Sequence, residues 1–135
     1  MLAREQEMRG GQAGIYPCRV STRDQVPATL DVVPMFRAIV SNIQQGVPAS
    51  QIAARFHCSI AELLATACSG AREQTGLNRV ALSGGVFQNQ LLLEQLVRRL
   101  EGMAFEVYVN RRVPPNDGGI SLGQLAVAAS HLQRG

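Results

Sequence analysis

The segment from Arg79 to Asn110 constrains the fold of this chain more than any other part of the sequence. RVALSGG at 79–85 is a short apolar run that closes on two glycines, and AFEVYVN at 104–110 alternates apolar and polar residues. Between them, residues 86–102 predict an amphipathic helix, whose apolar positions are Leu92, Leu93, Leu96, Val97 and Leu100. Because a strand–helix–strand crossover joins parallel strands, the two strands should be parallel neighbours or near neighbours. The sequence therefore predicts an α/β fold, rich in helix, with a small and mainly parallel sheet.

Two further helices are predicted before this segment. Apolar residues recur at spacings of three and four after Pro27, which indicates one buried helical stripe: Leu30, Val33, Phe36, Val40 and Ile43. Proline is tolerated only in the first turn, so this helix should begin near Pro34, and Gly46 should close it. Ser50 can cap the next helix, which should end near Gly76. We expect these two helices to pack together.

The first 26 residues form a less regular lead-in. Residues 1–9 contain good helix formers, and the glycines at 10 and 11 would stop a helix there after barely two turns. IYPCRV at 15–20 predicts a short strand before a polar turn, with Pro17 favouring an edge position. We therefore divide the chain into a lead-in, 1–26, and a main subdomain, 27–135. The main subdomain should end in a helix from residue 120, with small residues on its packing side.

Composition excludes several classes of protein. With 46% hydrophobic and 17% charged residues in 135, the chain can build one core. The net charge of +3 comes from arginines dispersed along the chain, so we expect no nucleic-acid partner. Three cysteines without a CxxC pair predict a reduced, cytoplasmic setting. No apolar stretch reaches the roughly 18 residues that a membrane helix needs, so we expect no membrane partner.

The first candidate site is SGGVFQN at 83–89. Gly84 and Gly85 lie between the carboxyl end of a strand and the amino end of a helix, where a ligand can approach the backbone closely. Asn89 lies in the first helical turn and can donate and accept hydrogen bonds. Phosphates and ribose hydroxyls suit such a place. The alternative is that the glycines only make a tight turn and Asn89 hydrogen-bonds the helix.

The second candidate site is PPNDGG at 114–119, where Asp117 lies between two prolines and two glycines. Both glycine loops should emerge at the same edge of the parallel sheet, so Asp117 should lie within reach of residues 83–89. A carboxylate beside a nucleotide commonly binds a metal ion. The alternative is that Asp117 caps the helix that follows.

The remaining reactive side chains are weaker candidates. His57 follows an apolar helical position and is expected to be a surface or half-buried side chain, and His131 should be solvated. Cys58 is adjacent to His57 on a helix, where neighbouring side chains diverge by about 100°, so the two should not form a catalytic pair. Cys18 and Cys68 are expected to be small apolar fillers.

Three ordered motifs carry a family resemblance: IAARFH at 52–57, ALSGGVFQNQLLL at 81–93 and VPPNDGGISLGQ at 113–124. Over roughly residues 28–130 the chain resembles the carboxyl end of HypF carbamoyltransferases, which are hydrogenase maturation factors. They are related to the TsaD family of tRNA threonylcarbamoyltransferases. The resemblance implies the second half of an actin-like ATPase fold.

In that family, carbamoyl phosphate and ATP yield carbamoyl adenylate, and the carbamoyl group passes to the C-terminal cysteine of HypE. By motif, the resemblance implies that Gly84, Gly85 and Asn89 hold ATP and that Asp117 binds a divalent metal, which could be iron, zinc or magnesium. HypF chains are several times longer, and the HxxxH motif that completes their metal site is missing here.

The missing motif leads us to expect no activity from the chain alone. We expect HypE and the N-terminal half of the enzyme as partners. Two alternatives stay open: a non-catalytic remnant that associates with itself, and a fragment of a TsaD-like enzyme.

Overall fold

The computed structural model describes residues 4–8, 14–23, 26–111 and 113–132. In chain order the strands and helices are β1 (Arg4–Met8), β2 (Cys18–Arg23), β3 (Val26–Asp31), α1 (Val33–Gln44), α2 (Ala49–Thr75), β4 (Arg79–Leu82), α3 (Gln90–Gly102), β5 (Glu106–Val109) and α4 (Ile120–Leu132). The predicted α/β class is confirmed, and β4 and β5 form the predicted parallel pair.

The core of the molecule lies between α2, α3 and the parallel pair. Its buried residues are Ala61, Ala65, Leu82, Leu92, Leu96, Leu100 and Phe105. The predicted apolar face of α3 is therefore confirmed, since Leu92, Leu96 and Leu100 are buried and Leu93 and Val97 pack against this core. Such burial stabilises the fold because each large apolar side chain removed from water contributes roughly 1.5–3 kcal/mol. This packing fixes the carboxyl ends of β4 and β5 beside each other.

The prediction for the N-terminal region is partly wrong. The described residues of the predicted helix at 1–9 form β1, which pairs antiparallel with β2. A segment this short is marginal as a helix, whereas a neighbouring strand satisfies its backbone hydrogen bonds. The strand predicted at 15–20 is confirmed as β2, but it starts at Cys18 and continues through part of the predicted turn.

A second, separate sheet consists of three antiparallel strands, which the sequence did not indicate. Its order is β1-β2-β3, so β2 is central, and the edge position predicted from Pro17 is wrong. Pro17 lies just before the strand begins and removes no donor from it. The sheet packs on the helices through a second cluster of buried residues, Tyr16, Cys18, Val20, Met35 and Leu63. The division of the chain at residue 26 stays a prediction.

Helix α1 confirms the predicted helix but not its predicted buried stripe. Pro34 lies in its first turn, and the helix ends just before Gly46. Leu30 belongs to β3, and the four other stripe residues are each more than half exposed: Val33 52%, Phe36 53%, Val40 52% and Ile43 61%. Met35 faces the second cluster instead, together with Ala38 and Ile39. The helix has apolar residues on two sides, and the described part of the chain covers only one.

Helix α2 ends at the predicted place, since Gly76 adopts a left-handed conformation and its N–H donates to the carbonyl of Arg72. Its start differs from the prediction: Pro48 is the N-cap residue and Ser50 lies inside the helix. Helices α1 and α2 pack together as predicted, through Met35 and Leu63 of the second cluster.

The terminal helix α4 forms where it was predicted, but all of its residues are exposed, including the small residues expected to pack. Leu125, for example, is 68% exposed. None of the helices in the described ranges combines the length and the apolar character needed to cross a membrane.

Candidate functional site

The candidate site lies at the carboxyl edge of the parallel pair. Leu82 is opposite Val109 in the register, so the chain leaves both strands at the same level. Ser83 begins the first connection and Asn110 begins the second. The topology therefore brings the two predicted glycine loops to one edge, as expected for parallel strands.

The first connection, residues 83–85, is called the glycine corner here. Gly84 has a φ of 112° and a ψ of 157°, a region that only glycine enters readily. A 3-10 helix (Gly85–Gln88) follows, so α3 starts at Gln90 and not at Val86 as the pattern predicted. Asn89 is the N-cap of α3, and its side-chain oxygen accepts a hydrogen bond from the backbone N–H of Leu92. The alternative that Asn89 hydrogen-bonds the helix is therefore correct for this contact.

The part of the second connection at residues 113–119 is called the aspartate loop here. Asn116, not Asp117, caps its short 3-10 helix (Asp117–Gly119) by accepting from the N–H of Gly118 at 3.0 Å. The capping alternative for Asp117 is therefore wrong. The loop is tightly folded at Gly119, where an added Cβ would lie 3.0 Å from the carbonyl oxygen of Pro114.

The glycine corner and the aspartate loop line one open cavity of about 330 Å³, called the corner cavity here. Gly84, Gly85 and Asp117 all line it, and a Cβ added to Gly85 would lie 4.0 Å from the Cβ of Asn116. Asn89 is not among its lining residues. The structure thus brings together three of the four predicted site residues and places the fourth at the start of α3.

Asn110 is a polar residue of this edge that the sequence reasoning missed. It lines the corner cavity and also an adjoining cavity of about 340 Å³, whose wall includes Phe87, Gln88 and Gln90. The signal that could have identified it is its position directly after β5, where the parallel-strand rule places ligand-binding residues.

Comparison with known proteins identifies the family. Residues 2–124 match the model of the family described as carbamoyltransferase, Kae1-like domain, second subdomain. The chain belongs to this family. It is 38% identical over 106 residues to carbamoyltransferase HypF2 of Cupriavidus necator, covering 78% of this chain and 12% of that protein. It is 34% identical over 110 residues to carbamoyltransferase HypF of Synechocystis, covering 82% of this chain and 13% of that protein.

Solved HypF structures share the fold. A full-length HypF crystallised in a phosphate- and nucleotide-bound form superposes with a TM-score of 0.79 at 38% identity, covering 87% of this chain and 15% of the HypF chain. HypF of T. kodakarensis gives a TM-score of 0.64 at 28% identity, covering 77% of this chain and 14% of that chain. The predicted resemblance to the C-terminal part of HypF is therefore confirmed. The chain spans about an eighth of the curated HypF proteins named above.

The residues of this HypF subdomain fit a metal ion only in part. Asp117 is exposed, and its carboxylate makes no hydrogen bond or ion pair with the other described residues. Its oxygens are free to bind a hard cation such as Mg²⁺. No group of three or more His, Cys, Asp or Glu that could hold a metal occurs within the described ranges. Asp117 can thus be one ligand, and the others must come from elsewhere.

Among the histidines and cysteines, His57 makes the contact with the candidate site. Its Nε2 lies 2.8 Å from Nδ2 of Asn89, so α2 reaches the start of α3 through this pair. His131 is exposed, as expected. Burial, together with the carboxylate of Asp31, raises the pKa of the Cys18 thiol, and burial raises the pKa of Cys68. Both thiols are therefore kept neutral, which agrees with their predicted role as apolar fillers.

Proposed function

We propose that the chain is part of a HypF-type carbamoyltransferase and supplies one wall of its nucleotide and metal site. The observation that carries the proposal is the corner cavity, in which the glycine corner shares one space with Asp117, whose carboxylate has no partner among the described residues. The match to the HypF subdomain supports it. The full-length relative was crystallised with phosphate and nucleotide, so a nucleotide is the ligand we propose for the corner cavity.

Each residue of the wall has a proposed task. Gly84 and Gly85 let a phosphate approach the bare backbone, because they carry no side chain. Asn89 does not line the corner cavity, so it would form hydrogen bonds with a part of the nucleotide that extends beyond the cavity. Asp117 binds a divalent cation, which would neutralise the phosphate charge when bound. Because one carboxylate cannot hold such an ion, the other ligands belong to the rest of the enzyme.

The overall reaction follows from the family. Carbamoyl phosphate, water and ATP give carbamoyl adenylate, phosphate and pyrophosphate. A bond then forms between the carbamoyl carbon and the sulfur of the C-terminal cysteine of HypE, while the bond from that carbon to the phosphate oxygen breaks and AMP leaves. The thiol proton passes to solvent. No thiol of this chain is assigned a part in the transfer.

Reconstitution tests the proposal. We expect the chain mixed with the remaining N-terminal portion of the enzyme to carbamoylate a HypE C-terminal peptide when ATP is present. Asp117→Asn should lower the rate at least tenfold, since even the residues that only support metal ligands commonly contribute 10–100-fold. Glu101→Gln, which removes a carboxylate from the far end of α3, is the matched control and should leave the rate unchanged. A well-formed mixture without activity, or equal rates for both variants, would contradict the proposal.

A second candidate function is favoured by the exposed apolar faces of α1 and α4. Val40 and Ile43 on α1 and Leu125 on α4 are each more than half exposed. Apolar surface of this extent commonly marks an interaction site, so the chain could be a non-catalytic module that associates with itself. Sedimentation at several concentrations tests this idea. Self-association should weaken in Val40→Glu and persist in the neighbouring control Ser41→Glu, whereas a monomer at all concentrations would exclude it.

The third alternative, a tRNA-modifying enzyme of the TsaD kind, receives no comparable support. The relatives and structures described above are HypF proteins.

A further inference from the structure

The contact between His57 and Asn89 has a fixed direction. On one side of the imidazole, Nδ1 lies 2.8 Å from the carbonyl oxygen of Ala53, one turn earlier in α2. A carbonyl oxygen only accepts, so Nδ1 carries the proton. On the other side, Nε2 lies 2.8 Å from the side chain of Asn89 and must accept a hydrogen bond from it. The lone pair of Nε2 is therefore directed at Asn89.

The carboxamide of Asn89 is oriented from both ends. Its Oδ1 lies 3.2 Å from the backbone N–H of Leu92, which donates to it, while its Nδ2 donates to His57. A flipped amide would place two donors against each other at Leu92 and two acceptors against each other at His57. The carbonyl of Ala53 and the N–H of Leu92 therefore determine which side-chain atoms of His57 and Asn89 donate and which accept.

The imidazole is itself held by its surroundings. The ring of Phe56 lies edge-on to that of His57, with 5.6 Å between centroids and 86° between planes. Phe56 packs against the buried cluster that contains Met35 and Leu63. The direction of the His57 lone pair is therefore linked to the core through Phe56, and the exposed side chain of Asn89 is held by a half-buried one.

Asn89 retains hydrogen-bonding capacity after these contacts. The carboxamide has two N–H donors and an oxygen with two lone pairs, and each contact uses one of them. One N–H and one lone pair remain, and the residue is exposed. We propose that His57 is a positioning residue that holds the Asn89 carboxamide in one orientation, so that these two groups meet a bound nucleotide. The proposal rests on the proposed function only in naming the nucleotide.

A double-mutant cycle tests the proposal in the chain mixed with the N-terminal portion of the enzyme, with Mg²⁺ and ATP as the probe. His57→Leu should weaken ATP binding about fivefold, the effect of one neutral hydrogen bond. His57→Gln should bind within about twofold of the unchanged chain, because its amide oxygen can accept from Asn89. The matched control is Gln74→Leu, a polar-to-apolar change on an exposed part of α2, and it should have no effect.

The decisive comparison uses the Asn89→Ala background. If His57 acts through Asn89, His57→Leu causes no further loss of affinity there. If His57→Leu weakens ATP binding equally in both backgrounds, its role is merely structural and the proposal is overturned. It is also overturned if His57→Leu alone leaves the affinity unchanged.

Nitrogen NMR of the chain separates this proposal from the proposed function. The imidazole of His57 should show the Nδ1-protonated tautomer, and one side-chain amide proton of Asn89 should exchange slowly. His57→Leu should abolish the slow exchange, and Gln74→Leu should preserve it. If ATP fails to bind the unchanged protein but these signals appear, the nucleotide function fails and the positioning of Asn89 stands. An Nε2-protonated tautomer would overturn the positioning itself.

Discussion

Replacing Gly84 with alanine tests the backbone geometry that forms the glycine corner. The φ of 112° lies where an L-residue is strained, and holding a residue in such a region costs of order 1–3 kcal/mol. The added methyl group meets nothing within 4 Å, so no clash contributes. Against the strain stands a gain of about 0.4–1 kcal/mol, because alanine restricts the unfolded chain. The net loss in the free energy of unfolding should therefore be about 1–2 kcal/mol.

Gly102→Ala is the matched control. Gly102 is the last residue of α3, its Cβ would also meet nothing within 4 Å, and its φ is not in the left-handed region. Only the gain from restricting the unfolded chain remains, so this variant should be more stable by about 0.5–1 kcal/mol. The two identical chemical changes should thus move stability in opposite directions, separated by the strain at Gly84, which is about 1–3 kcal/mol, because the gain from the unfolded chain is common to both.

Urea unfolding followed by circular dichroism measures both variants. The strain at Gly84 should lower the free energy of global unfolding, because Leu82, two residues before, is buried in the main core. Midpoints that shift in the same direction by similar amounts would refute the geometry assigned to Gly84. In the reconstituted enzyme, Gly84→Ala should also lower activity at temperatures where the variant is fully folded, because relief of the strain moves the wall of the corner cavity.

Three further predictions concern the core. Leu100→Ala should reduce the free energy of unfolding by about 2–5 kcal/mol, since Leu100 is 0% exposed, and a loss below 1 kcal/mol in urea titrations would contradict its burial. Ser59→Ala should cost about 1–3 kcal/mol by the same measurement, because the buried hydroxyl accepts from the N–H of Tyr16 at 2.7 Å, and Ser59→Thr should retain more stability than alanine does. The raised pKa of Cys18 means that the folded state holds the thiol proton more tightly than the unfolded state, so stability should fall as the pH rises above the ordinary thiol range. Between neutral and alkaline pH, the free energy of unfolding should fall less for Cys18→Ala than for the unchanged chain. An equal fall in both would show that Cys18 does not contribute to the pH dependence.

The parts of the fold that the sequence predicted are those in which local pattern and tertiary burial agree. Along 79–109, apolar spacing, the glycine turn and strand alternation all indicate the same strand–helix–strand unit, and the structure has it. In α1 they disagree. Val40 and Ile43 lie on the more obvious apolar stripe, yet Met35 is the residue that the core buries. Periodicity shows that a helix has an apolar face, but only the neighbouring elements determine which face is covered.

The sequence likewise predicted some features of the candidate site and missed others. The proximity of Gly85 to the aspartate loop followed from the rule for parallel strands, which is topological and readable from sequence. The His57–Asn89 pair did not, because the two residues are 32 positions apart and meet only through the packing of α2 on α3. Asn116 could not be distinguished from Asp117 as the cap, since both side chains cap helices readily. What sequence alone misses here are individual hydrogen-bond partners.

The two candidate functions make different demands on the exposed apolar surfaces, and a single experiment can therefore separate them. A second copy of the chain could cover α4, but its described residues also contain no group of three or more His, Cys, Asp or Glu that could hold a metal, whereas a hard cation usually takes six or more ligands. The remainder of the enzyme could cover the same helix and also supply the missing ligands.

If the remainder of the enzyme is the partner, its binding covers α4 and completes the metal site at the same time. Addition of Mg²⁺ and ATP should then strengthen association with the N-terminal portion, and Asp117→Asn should remove that effect while Glu101→Gln retains it. Self-association, by contrast, should be indifferent to both Mg²⁺ and the Asp117 variant. Equal effects of Mg²⁺ and ATP on both kinds of association would contradict the link between the apolar faces and the site.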